Sequence, residues 1–309
     1  MYLFHTDNSI AAPRVFSRSP LFIEQDCVHS CAVRKQFNRR GLTLVELLMS
    51  MAISSILIVA LGGIVTATQT AWKHTQGIED SQAQITAAFD RMKMMVSQAG
   101  IYQISGQPPQ VGLAVVTHTW NSIDIPDTLV VWTGGRTGGI SEQGMLTRLP
   151  TINELLIYTI DPNDSHNFVE IALPAVNASI DFNSSSFKNT IRSAITSSSA
   201  ESALLSNRVK SSQYMLSGRP WGAAIGNIRF DLVKSPSDTS LSGVAPGTSA
   251  WMSLPWPQGT ASASSGLRQA TVNYEVQFEV TERTSLNDVN SPTALPFFGS
   301  SSRLYAYTP

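Results

Sequence analysis

Residues 47–72 carry no charged side chain, a run of 26 positions. A bilayer core takes about 20 apolar residues as a helix, so this run is long enough to cross one. After Trp72 the pattern changes. Ile78, Ile85, Phe89, Met92, Val96 and Ala99 recur at helical spacings, with Gln82 and Ala88 between them. Glu79, Asp80, Gln84, Asp90, Arg91 and Lys93 take the other faces. This is one apolar stripe on a continuing helix. A single helix over residues 42–99 follows, about 87 Å long at 1.5 Å per residue, with Gly100 as its C-terminal cap. Gly62-Gly63 is its weak point, because a glycine costs about 1 kcal/mol of helix propensity. The pair predicts either bending there or close packing of another helix. Met92, Met94 and Met95 read as core filling on an irregular sheet face, not as a metal box.

Beyond residue 101 the signals are of strands and turns. Candidate strands are residues 111–117, 128–133, 155–160, 168–173, 225–233 and 271–281. In the last, Val272, Tyr274, Val276, Phe278 and Val280 alternate with Asn273, Glu275, Gln277 and Glu279. Period-two alternation predicts an antiparallel sheet with one face on the helix and one in solvent. The Ser/Thr/Gly-rich stretches 183–212 and 235–250 read as long loops. The fold class is therefore α+β: a long N-terminal helix packed on an antiparallel sheet.

Composition narrows the function. The chain has 309 residues and 33.4 kDa, enough for one large domain or two ordinary ones. Lys plus Arg is 21 and Asp plus Glu is 22, which excludes holding nucleic acid by bulk positive charge. Charged residues make up 14 %, against roughly 25 % in average soluble chains, so the surface is polar and uncharged. The two cysteines, Cys27 and Cys31, exclude a disulfide scaffold or a four-cysteine metal site.

The flanks of the apolar run set its orientation. Arg34, Lys35, Arg39 and Arg40 precede it, and positive residues stay on the cytoplasmic side. The C-terminal part is then exported. The run is too long for the apolar region of a cleaved secretory signal, and no small-x-small site closes it. Glu46, at the edge of the run, needs either the headgroup level or a cationic partner. Cutting the chain after Gly41 would supply one, the new amino group of Leu42.

Gly41-Leu42-Thr43-Leu44-Val45-Glu46, after Arg39-Arg40 and before the apolar run, resembles the class III signal of type IV prepilins and pseudopilins. The resemblance implies cleavage after Gly41 by prepilin peptidase, methylation of Leu42 as the new N-terminus, and Glu46 as the glutamate at mature position five. It also implies the fold, a long helix on a β-rich head, and other pilins or pseudopilins as partners through their N-terminal helices. Phe is the commonest first mature residue in that family, so Leu42 is a departure. The expected divisions are a leader (1–41), a transmembrane or filament-core helix (42–71), an amphipathic stem (72–100) and a periplasmic head (101–309). A leader of this length is unusual for the family, and initiation at Val33 would shorten it to residues 33–41. Removing residues 1–41 takes away both cysteines and leaves 15 basic and 19 acidic residues. Trp251 to Pro257, followed by Leu267-Arg268-Gln269-Ala270, is similar to the larger minor pseudopilins of J-like and W-like type.

His74, His118 and His166 are widely spaced, and the usual hydrolase, zinc-protease and nucleotide-binding motifs are missing. The expectation is no enzyme and no cofactor. Asp161, Asn163 and Asp164, with Glu170 nearby, could offer oxygen ligands to calcium, which some pseudopilins of this class bind; turn chemistry accounts for the same residues. The expected function is a structural subunit, a minor pseudopilin or minor pilin in the inner membrane that initiates or caps a filament. The rival is a membrane-anchored exported adhesin or binding domain.

Overall fold

The computed structural model describes residues 43–120, 123–140, 144–213, 224–279 and 294–309. Gly41, Leu42, Val33, both cysteines and the end of the predicted strand past Glu279 lie outside them. The chain divides into two compact units, Met1–Val59 and Ala60–Pro309.

Helix α1 spans Leu44–Ser97, 54 residues without interruption. In the first unit the described residues from Leu44 onward all belong to it, and all are exposed. In the second unit residues 60–76 are also exposed, and then a stripe is buried: Gly77, Ser81, Ile85, Ala88, Met92, Met95 and Val96. The expected stripe is present, with Ile78 and Phe89 at its half-buried margins. Met92 and Met95 fill the core, whereas Met94 is 43 % exposed and belongs to the outer face. Gly100 does not cap the helix in the left-handed conformation. A Cβ there would stand 2.5 Å from the Trp132 ring and 2.3 Å from Ile140 Cδ1, so the glycine serves close approach.

The head contains strands β1 (Ile101–Tyr102), β2 (Gln110–Val111), β3 (Leu113–Trp120), β4 (Ile123–Trp132), β5 (Met145–Leu146), β6 (Leu155–Ile160), β7 (Phe168–Ala172), β8 (Glu201–Ser206), β9 (Ser211–Gln213), β10 (Ala224–Gly226), β11 (Ile228–Ser235), β12 (Gly266–Glu279) and β13 (Ala294–Tyr307). Helix α2 (Phe187–Ile195) and the short α3 (Asp238–Leu241) and α4 (Ser249–Met252) lie between them. Two antiparallel sheets dominate, β3-β4-β6-β7-β8 and β11-β12-β13; smaller sheets are β2-β1-β5 and β10-β9.

The five-stranded sheet departs from expectation, because both faces are covered. Leu129, Val131, Leu156, Tyr158 and Phe168 join the core of the stem helix, while Val130, Trp132, Leu155, Ile157, Val169 and Ile171 join a second core with α2. A sheet buried on both sides reads as continuous apolar runs, and Leu129–Trp132 and Leu155–Tyr158 are such runs. Burying each such side chain contributes about 1.5–3 kcal/mol. The stretch 183–212 is not a long loop. It holds α2, whose Phe187, Ile191 and Ala194 are buried, and the edge strand β8. Within 235–250, Ser237 and Thr248 accept the N–H groups of Ser240 and Trp251, capping α3 and α4. The β11-β12-β13 sheet does match the expectation on β12, with even-numbered residues buried; Glu279 at its end is buried too.

Candidate functional site

The motif-bearing end of α1 is organised by Thr43 and Glu46. Glu46 Oε2 accepts from the Thr43 backbone N–H at 2.9 Å and from its hydroxyl at 3.0 Å. The Glu46 N–H donates back to Thr43 Oγ1 at 3.3 Å. This reciprocal arrangement is a capping box, which satisfies N–H groups left open at a helix start. The negative carboxylate also faces the positive end of the helix dipole. The spacing Thr43-Leu44-Val45-Glu46 carried that signal, and reading Glu46 for its charge alone missed it. Gly41 and Leu42 lie outside the described residues.

Behind the cap, five hydroxyls of the apolar run bond back to the helix's own carbonyls. Ser50 and Ser55 donate to the carbonyls of Leu47 and Ala52, and Thr66, Thr68 and Thr70 to those of Gly62, Ile64 and Thr66, at 2.7–2.9 Å. Such back-bonding makes a hydroxyl tolerable in hydrocarbon. The helix is long and apolar enough to cross a membrane. Around Gly62 and Gly63 no atom beyond the helix's own backbone lies within 4 Å of where a Cβ would stand.

The stem is held to the head by charge as well as packing. Arg91 makes a forked pair with Glu170, Nε to Oε2 at 2.9 Å and Nη2 to Oε1 at 3.0 Å, and donates from Nη2 to the Arg136 carbonyl at 2.6 Å. Tyr158 donates to Glu170 Oε2 at 2.9 Å. The Glu170 bond raises the Arg91 pKa, opposed by partial burial. Burial, then the charge of Glu170, pushes the Tyr158 phenol well above its ordinary range. A second carboxylate, Glu154, accepts from Arg148 at 2.6 and 2.9 Å, from the Trp132 indole at 3.0 Å and from the Thr151 N–H at 3.1 Å. The Arg148 bond leads in lowering its pKa to about 2.

The residues considered for calcium form a turn. Asp161 Oδ1 accepts from the Asn163 N–H at 2.9 Å and Asp164 Oδ1 from the His166 N–H at 3.1 Å. Glu170, close in sequence, is committed to Arg91 and Tyr158. No group of three or more His, Cys, Asp or Glu side chains is placed to hold a metal among the described residues. Trp251 and Trp256 pack at the start of β12, ring centroids 4.7 Å apart. The buried Arg268 guanidinium lies over Tyr307 at 5.3 Å and donates to Pro236 O and Asp238.

A capped helix, uncharged from Leu47 to Trp72 and then amphipathic where it packs on antiparallel sheets, fits a helical membrane anchor with a β-rich head; among the described residues one helix is long and apolar enough to cross a membrane. Residues 36–62 match the family profile of the prokaryotic N-terminal methylation motif. That match falls on the motif described above and supports its resemblance to the N-terminal signal of type IV prepilins and pseudopilins. The motif implies processing by prepilin peptidase and pilin-type partners. No curated protein and no solved structure matches the chain.

Proposed function

We propose that this protein is a minor pseudopilin or minor type IV pilin. Prepilin peptidase cuts it after Gly41 and methylates Leu42. It stands in the inner membrane with its head, residues 101–309, in the periplasm, and is drawn into a short filament through residues 42–71. Its work is mechanical and not catalytic: it initiates or caps a filament serving type II secretion or a type IV pilus. The tryptophan pair ahead of β12 and the large head favour a J-like or W-like member, and a bulky head suits a tip position. The reading requires neither a cofactor nor calcium at Asp161, Asn163 and Asp164.

One observation carries it. Every side chain from Leu44 to Gln76 is exposed, and Glu46 is the sole charged group from there to Trp72. Water does not tolerate that surface, so lipid or neighbouring helices must cover it. In a filament the Glu46 carboxylate would exchange its Thr43 bonds for the amino group of a neighbour's Leu42. A charge buried without a partner costs far more than a paired one, which would fix the axial register.

The test is electrophoretic. In cells with prepilin peptidase the chain is expected to run about 4 kDa smaller than in cells without it, given 33.4 kDa over 309 residues. Equal size in both would contradict the proposal and favour the anchored-adhesin alternative.

A further inference from the structure

The pattern Asn-x-Ser or Asn-x-Thr, with x not proline, marks an acceptor for N-linked glycosylation on an exported chain. It occurs at Asn163, Asn177 and Asn183, and all three asparagines are exposed. The bacterial form of the signal adds an acidic residue two positions before the asparagine and excludes proline on either side of it. Asp181-Phe182-Asn183-Ser184-Ser185 meets every condition. Asn177 has Ala175 in place of the acid, and Asn163 follows Pro162.

The structure separates the sites in the same way. The hydroxyl that serves Asn163, on Ser165, is bonded to that of Ser211 at 2.7 Å. Ser179, which serves Asn177, is held in a bridge with Thr151. Around Asn183 the bonds are local. Its N–H donates to Asp181 Oδ1 at 2.9 Å, the Ser184 N–H to Asp181 O at 3.1 Å and the Phe187 N–H to Ser184 O at 3.0 Å. Such a surface turn can be drawn into an enzyme's groove without breaking a sheet ladder. Phe182 anchors the turn, its ring centroid 4.8 Å from that of Phe187, while Asn183 and Ser185 stay exposed. The turn leads into α2, which covers the face of the five-stranded sheet opposite the stem. A bulky group on Asn183 therefore stands clear of the stem.

We propose that Asn183 carries an N-linked oligosaccharide. The donor is an oligosaccharide on a membrane-borne polyprenyl diphosphate. Asn183 Nδ2 attacks the anomeric carbon, and a C–N bond forms as the C–O bond to the diphosphate breaks. Nδ2 gives up one proton to a carboxylate of the transferase, and the polyprenyl diphosphate leaves with the bonding pair. The inference rests on export of the head, as the proposed function has it, and not on filament assembly.

The protein is purified from its native cells, and the peptide holding Asn183 is read by mass spectrometry with electron-transfer fragmentation. One oligosaccharide is expected on Asn183, with Asn163 and Asn177 unmodified. Asn183→Gln and Ser185→Ala should each abolish the added mass, with thermal unfolding unchanged. Asp181→Asn keeps an acceptor oxygen for the turn and removes the charge; it should lose most of the glycopeptide, and Asp181→Glu should retain it. An unmodified Asn183, sugar only on a serine or on another asparagine, or an added mass that survives Ser185→Ala would overturn the inference. An unmodified Asn183 in a chain that begins at Leu42 would sink this inference alone. A glycosylated Asn183 in a chain without the peptidase-dependent size shift would sink the proposed function and leave this inference standing.

Discussion

The two halves of helix α1 have the same backbone and opposite surfaces. Up to Gln76 every described side chain is exposed, and from Leu47 to Trp72 none is charged. From Gly77 onward one stripe is buried, and Glu79, Asp80, Asp90 and Lys93 stand on the exposed faces. A helix that is apolar all round needs a surrounding it does not itself provide, whereas one with a stripe needs only a single partner. The first half is therefore unfinished in the isolated chain and the second is complete. The proposed assembly function would reside in the unfinished half, and the complete half carries the head.

The sharpest way to break this comparison is Glu46→Gln. Glutamine keeps the capping box with Thr43 but removes the charge. Filament incorporation is expected to be lost while membrane insertion and cleavage persist, read by co-purification with the other subunits. Normal incorporation would mean that Glu46 acts as a cap and not as a charge.

In the complete half, Glu170→Ala should cost about 3–5 kcal/mol, because it leaves Arg91 facing a buried site without its partner. At roughly 2–4 °C per kcal/mol for a domain of this size, that is a fall of about 6–20 °C in thermal unfolding of the detergent-solubilised chain. Met92→Ala comes next, at about 2–5 kcal/mol for a core cavity. Met94→Ala, two residues away on the exposed face, should stay within about 0.5 kcal/mol. If Met92 and Met94 behaved alike, the stripe would be wrongly placed.

The smallest effect is one of pH. Glu154 has its pKa lowered from 4.5 to about 2 in the folded chain, chiefly by Arg148. A lowered carboxylate contributes stability above its unfolded pKa and loses it as pH falls through the folded one. Denaturant midpoints should therefore drop between about pH 4.5 and pH 2, and Glu154→Gln should flatten that slope.

Much of this was legible beforehand, for physical reasons that differ by element. Helix α1 and strand β12 carry long unbroken periods, and both were found. Helix α2 was hidden by its Ser, Thr and Asn content, although Phe187, Ile191 and Ala194 already stood at helical spacing. Strand β13 was missed because Pro296, Gly299 and Ser300-Ser301-Ser302 break its alternation. Gly299 is there because the Tyr274 ring lies 2.0 Å from where a Cβ would be. The pairing of Arg91 with Glu170 joins positions 79 apart, and neither residue announces the other. At the candidate site Glu46 was visible as an isolated charge, but its bond to Thr43 was not drawn from the spacing.

The central claim is that the apolar half is completed by neighbours after processing at Gly41. Mass spectrometry of the amino-terminal peptide from the native protein tests it most directly. The account predicts an N-methylated peptide beginning at Leu42, and a chain beginning at any other residue would contradict it.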